Sequence, residues 1–302
     1  MKILVTGGAG FVGSNLVEEL VKLGHDVVVL DNFFLGTKKN LEGLGVETFN
    51  GDIRDADIVS KAADAAEVIF NEAAASSSPM FAKNLRDAVS VNVDGFINIL
   101  NAARDNGSKV VYASTSSIYG NLPPPLREDV NVTPPNFYSV TKLFNEQLAS
   151  IYTTEYGIET VGFRYMSVYG PKEEGKGVFA NLVSQFLWSL KKNEQPVIYG
   201  DGKQTRDFVY VKDVVQANIL AMKTGKGGEV FNVGTGVATS LNSLVALLNR
   251  LLEKNIQPKY IEMPVKNYID TQLADITKIK KMLGFEPKYI LEQGIKDMIG
   301  LN

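Results

Sequence analysis

The 302-residue sequence has no cysteine and a single histidine, His25, which precedes an apolar run. The missing thiols exclude disulfides, thiolate nucleophiles and cysteine metal ligands together, and they suit a reducing compartment. No metal site is expected. With one histidine outside any motif, proton transfer must fall to a less usual group. Positive charge is also scarce: the formal net charge is −3, and basic residues such as Lys38, Lys39 and Lys278, Lys280, Lys281 form small scattered groups. A nucleic-acid partner, which needs a basic field, is therefore not expected. Long apolar runs are missing too. The opening MKILVTGGAGFVG is broken by glycine too early for a membrane span or a signal core, and it has no small-residue cleavage site. The expectation is a cytoplasmic protein with no membrane partner.

What is present is an ordinary soluble composition, 45% hydrophobic and 22% charged, long enough to bury a sizeable core. Short runs (KILVTG, DVVVLD, VETFNGD, EVIFNEAA, KVVYAST, ETVGFRY) alternate with amphipathic stretches, among them LRDAVSVNVDGFINILNAARDNG and a helix from about Tyr138 to Tyr156. Largely apolar strands between such helices indicate a parallel sheet covered on both faces, a doubly wound α/β fold. After about Tyr165 the rhythm loosens into loops at YGPKEEGKG and YGDGKQTRD and helices at VFANLVSQFLWSLKKN and SLNSLVALLNRLLEKN. No linker composition separates the halves. Residues 166–302 read as a smaller mixed α/β lobe on a 1–165 domain, with about 205–235 returning to the sheet.

VTGGAGFVGSN parses as G-x-G-x-x-G over Gly8, Gly10 and Gly13, or as G-x-x-G-x-x-G over Gly7, Gly10 and Gly13. Alone the string is weak. Here it follows an expected strand and opens a helix, and Asp31 ends the next strand 18 residues beyond Gly13, the setting of a dinucleotide fingerprint. Glycines let backbone approach a pyrophosphate whose charge the helix start stabilises. Asp31 would accept from adenosine ribose hydroxyls and repel a 2′-phosphate, so the cofactor reads as NAD rather than NADP. The plainer alternative is a tight turn with a surface carboxylate. Asp52, in NGDIRD, could accept from an adenine amino group or be an ordinary loop residue.

FYSVTK places Tyr138 and Lys142 four apart, on one face of a helix. An ammonium beside a phenol favours phenolate, so Tyr138 is expected to fall from the ordinary value of about 10 toward working pH and act as a base. The same spacing equally describes a half-buried ring and a solvated lysine. YASTSSIYG adds Ser114, Thr115, Ser116 and Ser117 at the carboxyl end of a strand, where open α/β folds bind ligands. A hydroxyl there could bond the substrate oxygen and pass its proton to Tyr138, or merely cap a turn.

In order along nearly the whole chain, TGGAGFVGSNL, DNFFLG, GDIRD, NVDGFINIL, YASTSSIYG, YSVTK, RYMSVYGP, GDGKQTRDFVYVKDVV and FNVGTG resemble the extended short-chain dehydrogenase/reductase superfamily, in its nucleotide-sugar epimerase/dehydratase branch. The resemblance implies a Rossmann-type NAD domain and a nucleotide-sugar lobe. It makes Tyr138 the base, Lys142 the holder of the nicotinamide ribose and Thr115 the hydroxyl partner. It assigns Gly7, Gly10, Phe11, Val12, Gly13, Asp31, Asn32 and Gly36 to the cofactor, with Asp52 and Ile53 at adenine. It further implies Ala73, Ala74 and Ala75 at the cofactor's centre, Asn92 as support, and Ser114 and Met166 as further contacts. Asn181, Leu182, Tyr199 and Arg206 match positions that hold the nucleoside diphosphate, and Ser76, Thr115, Ser116, Ser167, Lys176 and Asp270 complete the substrate side. Arginine suits diphosphate because its planar fork binds phosphate oxygens bidentately, although a surface ion pair with Asp207 is the simpler alternative. The family's helix pair, near residues 85–106 and in the Tyr138 helix, implies a homodimer.

Branch members share an opening step that yields a 4-keto sugar. In 4,6-dehydratases an Asp-Glu pair follows the threonine, and in UDP-glucuronate decarboxylases a glutamate takes the second position; here both are serines, Ser116 and Ser117. The resemblance therefore points to a UDP-hexose 4-epimerase, acting on glucose/galactose or their N-acetyl forms. Met166-Ser167 stands where epimerases show Phe-Asn, Asn71-Glu72 replaces His-Leu, and PVKNYIDTQLADITK carries no arginine. NEAAASSS and Lys176 also resemble ADP-heptose 6-epimerases, the runner-up, and an NAD-binding sensor without turnover is the non-enzymatic alternative.

Overall fold

The computed structural model describes residues 1–225, 227–262 and 268–301. The chain runs β1 (Lys2–Thr6), α1 (Phe11–Lys22), β2 (Asp26–Asp31), β3 (Glu47–Asn50), α2 (Ala56–Ala62), β4 (Val68–Asn71), α3 (Ser78–Lys83), α4 (Leu85–Asn106), β5 (Lys109–Ala113), α5 (Phe137–Tyr156) and β6 (Thr160–Tyr165). It continues through β7 (Ser167–Tyr169), α6 (Leu182–Lys191), β8 (Val197–Tyr199), β9 (Thr205–Tyr210), α7 (Val211–Lys223), β10 (Glu229–Val233), β11 (Ala238–Ser240), α8 (Leu241–Leu251), β12 (Lys259–Ile261), α9 (Thr277–Leu283) and α10 (Leu291–Ile299). Seven parallel strands form the main sheet in the order β10-β6-β5-β4-β1-β2-β3. Helices cover both faces, which explains why β2, β4 and β6 are apolar runs without alternation. The strand order reverses between β1 and β4, and the crevice outside their carboxyl ends is where such sheets bind ligands.

The smaller sheets belong to the later half. β9 pairs with β7 and β11, and β12 with β8, while α7 packs on α1 and β10 completes the main sheet. A separate apolar cluster built from Val183, Phe186, Leu187, Leu190, Leu241, Leu244, Leu248 and Ile295 holds α6, α8 and α10 together. Besides α8, which ends at Leu251 short of the expected Asn255, two boundaries that bear on the site differ from the sequence expectation. α6 begins at Leu182 rather than Val178, because Asn181 caps it by accepting from Val183 N–H at 2.9 Å, and residues 174–179 form a 3₁₀ turn. The expected loop at 199–207 becomes strand at Thr205, where β9 enters its sheet. Among the described residues no helix is long and apolar enough to cross a membrane.

Candidate active site

At the crevice, backbone alone builds an anion cradle. Gly7 has φ +67°, and a Cβ there would lie 2.6 Å from Ala73 N; one on Gly13 would lie 2.2 Å from Gly7 O. Only glycine lets β1, α1 and the segment after β4 close on one another at these two positions. At Gly10 a Cβ would meet only Gly7 O, at 3.1 Å, and α1 starts with no side-chain cap and no acidic residue in its first turn. Its free N–H groups and dipole fit a pyrophosphate. Phe11 and Val12 open that helix. Asp31, buried at the end of β2, accepts from Ala9 N–H (2.9 Å) and Phe33 N–H (2.7 Å), with Gly36 packed against it. Burial pushes its carboxyl up, and each oxygen keeps a lone pair for a ribose hydroxyl.

Further along the crevice Asn32 donates to Asp52 at 3.2 Å, and Arg54 binds Asp52 at 2.7 Å, holding that carboxyl down at about 2. Arg54 was not anticipated. Ile53 turns its side chain into the core against Gly95 and its carbonyl accepts from Asn98 at 3.0 Å, so its side chain is not available to a ligand. Asn92 locks the segment Ala73, Ala74, Ala75 to α5: it accepts from Ala75 N–H at 2.8 Å and donates to Ala75 O (3.2 Å) and Thr141 Oγ1 (3.0 Å). Ser76 follows, half-buried.

A capping box between Asn136 and Ser139 starts α5, which presents Tyr138 and Lys142 from its first two turns. The Tyr138 ring is 9% exposed, packs on Phe81 at 5.9 Å, and its phenol faces the Thr115 hydroxyl, which accepts from Ser117 N–H at 3.1 Å. Lys142, 2% exposed, donates to Ala113 O at 2.8 Å. The expected lowering of the phenol is corrected here: burial pushes Tyr138 up to about 12 and Lys142 down to about 8. The ammonium is spent on the Ala113 carbonyl rather than on the phenol, so desolvation dominates both groups. A base at working pH then needs a further positive charge beside the ring.

Behind this pair lie acids that motif reading did not single out. Glu72, next after β4, accepts from the Tyr165 hydroxyl at 2.8 Å, and burial pushes it up to about 7. Glu146, four residues after Lys142, is bridged by Arg164 at 2.7 Å, both buried, and it takes the Ser114 hydroxyl. Ser114 therefore points its side chain into that network, not toward a ligand. Met166 is buried with its N–H on Val233 O and its carbonyl on Val168 N–H, both at 2.9 Å, so only the second lone pair of that carbonyl remains for a cofactor.

On the lobe side, Arg206 is 9% exposed, donates to Thr205 O at 2.8 Å and lies over Tyr268 at 5.1 Å. The Asp207 ion pair does not form. Asp207 instead accepts from Thr235 N–H (2.8 Å), Gly236 N–H (3.0 Å) and Ala274 N–H (3.2 Å), and among the described residues no carboxylate bridges Arg206. A buried guanidinium without a counter-charge is electrostatically incomplete until an anion docks. Tyr199 and Asp270, with Gly200 and Gln204, line an adjoining cavity of about 300 Å³. Lys176 binds Glu173 at 3.0 Å and lies 5.4 Å over the Phe11 ring, so the lobe meets the cofactor loop there. Glu173 also accepts from Asn181 N–H at 2.8 Å and from the Ser184 hydroxyl, while Leu182 opens α6. Ser116 accepts from Gln272 Nε2 at 2.9 Å, and Ser167 donates to Gln272 Oε1 at 3.3 Å. Of the arginine-free segment near the C-terminus, residues 264–267 lie outside the described residues.

A profile of the NAD-dependent epimerase/dehydratase family matches residues 3–234. The chain is 37% identical to a putative UDP-glucose 4-epimerase of Methanocaldococcus jannaschii over 98% of this chain and 97% of that one. It is 33% identical to a UDP-N-acetyl-alpha-D-glucosaminuronate decarboxylase of Bacillus cytotoxicus, over 99% and 96%. The crystal structure of UDP-glucose 4-epimerase with UDP-glucose from Thermotoga maritima superimposes with a TM-score of 0.95 at 34% identity, covering 99% of this chain and 98% of that one.

Proposed function

The chain belongs to the NAD-dependent epimerase/dehydratase family, and from that premise we propose that it inverts C4 of a UDP-hexose, UDP-glucose/UDP-galactose or their N-acetyl forms, through a transient 4-keto sugar. The observation that carries this reading is the composition of the wall beside Thr115 and Tyr138: Ser116, Ser167 and Gln272 are all uncharged. Elimination of water or loss of a carboxyl group would need an acid there, and an inversion at C4 needs none.

In this reading Tyr138 accepts the C4 hydroxyl proton, relayed or steadied by Thr115, whose hydroxyl faces the phenol. Lys142 stays protonated below about pH 8 and orients the ribose next to the phenol. NAD, when bound, supplies the hydride acceptor and the positive ring charge that the raised Tyr138 phenol calls for. Arg206 neutralises the diphosphate of the substrate, with Tyr199 and Asp270 around the nucleoside, and residues 166–302 act as the substrate lobe. Asn181 and Leu182 frame that lobe's helix start, and Ser76 lines the approach. Exposed Phe137, Val140, Phe144 and Ile151 form one stripe on α5, which supports a homodimer, and the thiol-free composition supports a cytoplasmic setting. The ADP-heptose alternative would use Lys176 in the active site; its pairing with buried Glu173 favours the 4-epimerase reading.

The test is difference absorbance at the reduced nicotinamide band on adding UDP-glucose or UDP-N-acetylglucosamine to purified protein, with the sugar product resolved. Transient reduction and inversion at C4 are expected, and both are expected to vanish in Tyr138→Phe, which should still bind NAD. A spectrally silent protein that interconverts no UDP-sugar would favour the sensor alternative.

A further inference from the structure

Gln272 lies 156 residues from Ser116 in sequence, yet its amide spans the crevice between the two halves of the site. Nε2 donates to Ser116 Oγ at 2.9 Å, Oε1 accepts from Ser167 at 3.3 Å, and its own N–H donates to Thr205 O at 3.1 Å. Ser116 follows Thr115, the hydroxyl partner of Tyr138, and Thr205 precedes Arg206. One residue thus connects the reacting end of the pocket to its diphosphate end. Gln272 is 5% exposed and Ser116 4% exposed, so water contributes little to the solvation of whatever group stands against them.

Among the described residues, the cations nearest this wall are turned away from it. Lys142 donates to Ala113 O, Lys176 is paired with Glu173, and Arg206 lies toward Tyr268 and the Asp270 carbonyl. The donors left to the wall are neutral: the Ser116 hydroxyl proton and one amide hydrogen of Gln272. A neutral hydroxymethyl or hydroxyl exchanges its hydration for such donors at little cost. A carboxylate at the same place loses far more, because among the described residues no cation faces it to replace its water.

Building on the 4-epimerase reading, we propose that Gln272 is the specificity-determining residue that makes the pocket select sugars uncharged beside the reacting carbon and reject hexuronates. It does so by bonding both serines and presenting a neutral amide in place of a charge. The proposal concerns the sugar class only and would leave NAD binding unaffected.

The experiment compares UDP-glucose and UDP-glucuronate in the wild type, Gln272→Lys and the near-isosteric Gln272→Glu, by kcat/KM from product NMR and by calorimetric affinity. The wild type is expected to favour UDP-glucose by at least about tenfold in both measures. Gln272→Lys should shift the ratio toward the uronate by at least about tenfold, and Gln272→Glu should shift it the other way. A wild-type preference for the uronate, or one ratio shared by all three proteins, would overturn the proposal. If the wild type turns over neither sugar, the 4-epimerase reading fails, and the affinity ratios across the three proteins still decide the role of Gln272.

Discussion

Two buried cations, Lys142 and Arg206, carry most of what is unusual at the residue scale. Lys142 ordinarily titrates near 10.5, and burial lowers it to about 8. Its ammonium therefore burdens the fold fully below pH 8, and the burden fades as pH rises from 8 toward 10.5, where the unfolded chain also loses the proton. Lys142→Met should consequently melt higher than wild type at pH 7, with the gap closing toward pH 10.5, while losing turnover; calorimetric melts of both proteins across that range check this. Arg206 has no carboxylate partner among the described residues, and a charged hydrogen bond is worth about 1.5–3 kcal/mol. Arg206→Met should weaken UDP binding by roughly 10- to 150-fold in calorimetry and leave NAD affinity unchanged. The roles proposed for Tyr138, Lys142, Thr115 and Arg206 start from short ordered motifs that the sequence displays. Gln272 was not legible there, because its partners Ser116 and Ser167 are remote in sequence, and nothing local marks an amide that bridges them.

Helix α5 shows what an element contributes beyond spacing. Asn136 and Ser139 fix its start and Gly157 with φ +71° ends it, and the helix expected from about Tyr138 to Tyr156 matches those bounds to within a residue. The anchoring of α5 to β6 was not readable: Arg164 of β6 binds Glu146 of α5 through Nε (3.0 Å) and Nη2 (2.7 Å), and reaches Tyr119 at 2.9 Å. Breaking a buried pair by removing one partner leaves the other charge uncompensated, at a cost of about 3–5 kcal/mol. Arg164→Leu should lose stability on that scale in urea unfolding, and Glu146→Leu combined with Arg164→Leu should recover most of it. A double variant no more stable than the single one would mean that the pair does not anchor α5. The same logic explains the boundary errors in the lobe. A capping side chain such as Asn181 outweighs the apolar pattern that seemed to start α6 earlier, and the pairing of β9 with β7 and β11 is a tertiary choice that polar residues 199–207 do not announce.

At the scale of the whole molecule, the parallel sheet was legible because its inner strands are buried on both faces and read as largely apolar runs, whereas the edge strand β3 is mostly exposed and the lobe's three-residue strands have too little pattern to declare themselves. Phe137, Val140, Phe144 and Ile151 are exposed along α5, the face that the proposed homodimer would cover. Phe144→Glu should convert a dimer to a monomer by light scattering, and a wild type that is monomeric at micromolar concentration would remove the dimer from the account. The central claim is inversion at C4 by a retained hydride, and it is tested most directly by incubating the purified protein with UDP-glucose in D₂O and following the sugar by proton NMR. The expected result is UDP-galactose with its C4 proton unexchanged, abolished in Tyr138→Phe. Failure to interconvert any UDP-hexose, together with release of a pentose nucleotide from UDP-glucuronate, would contradict it.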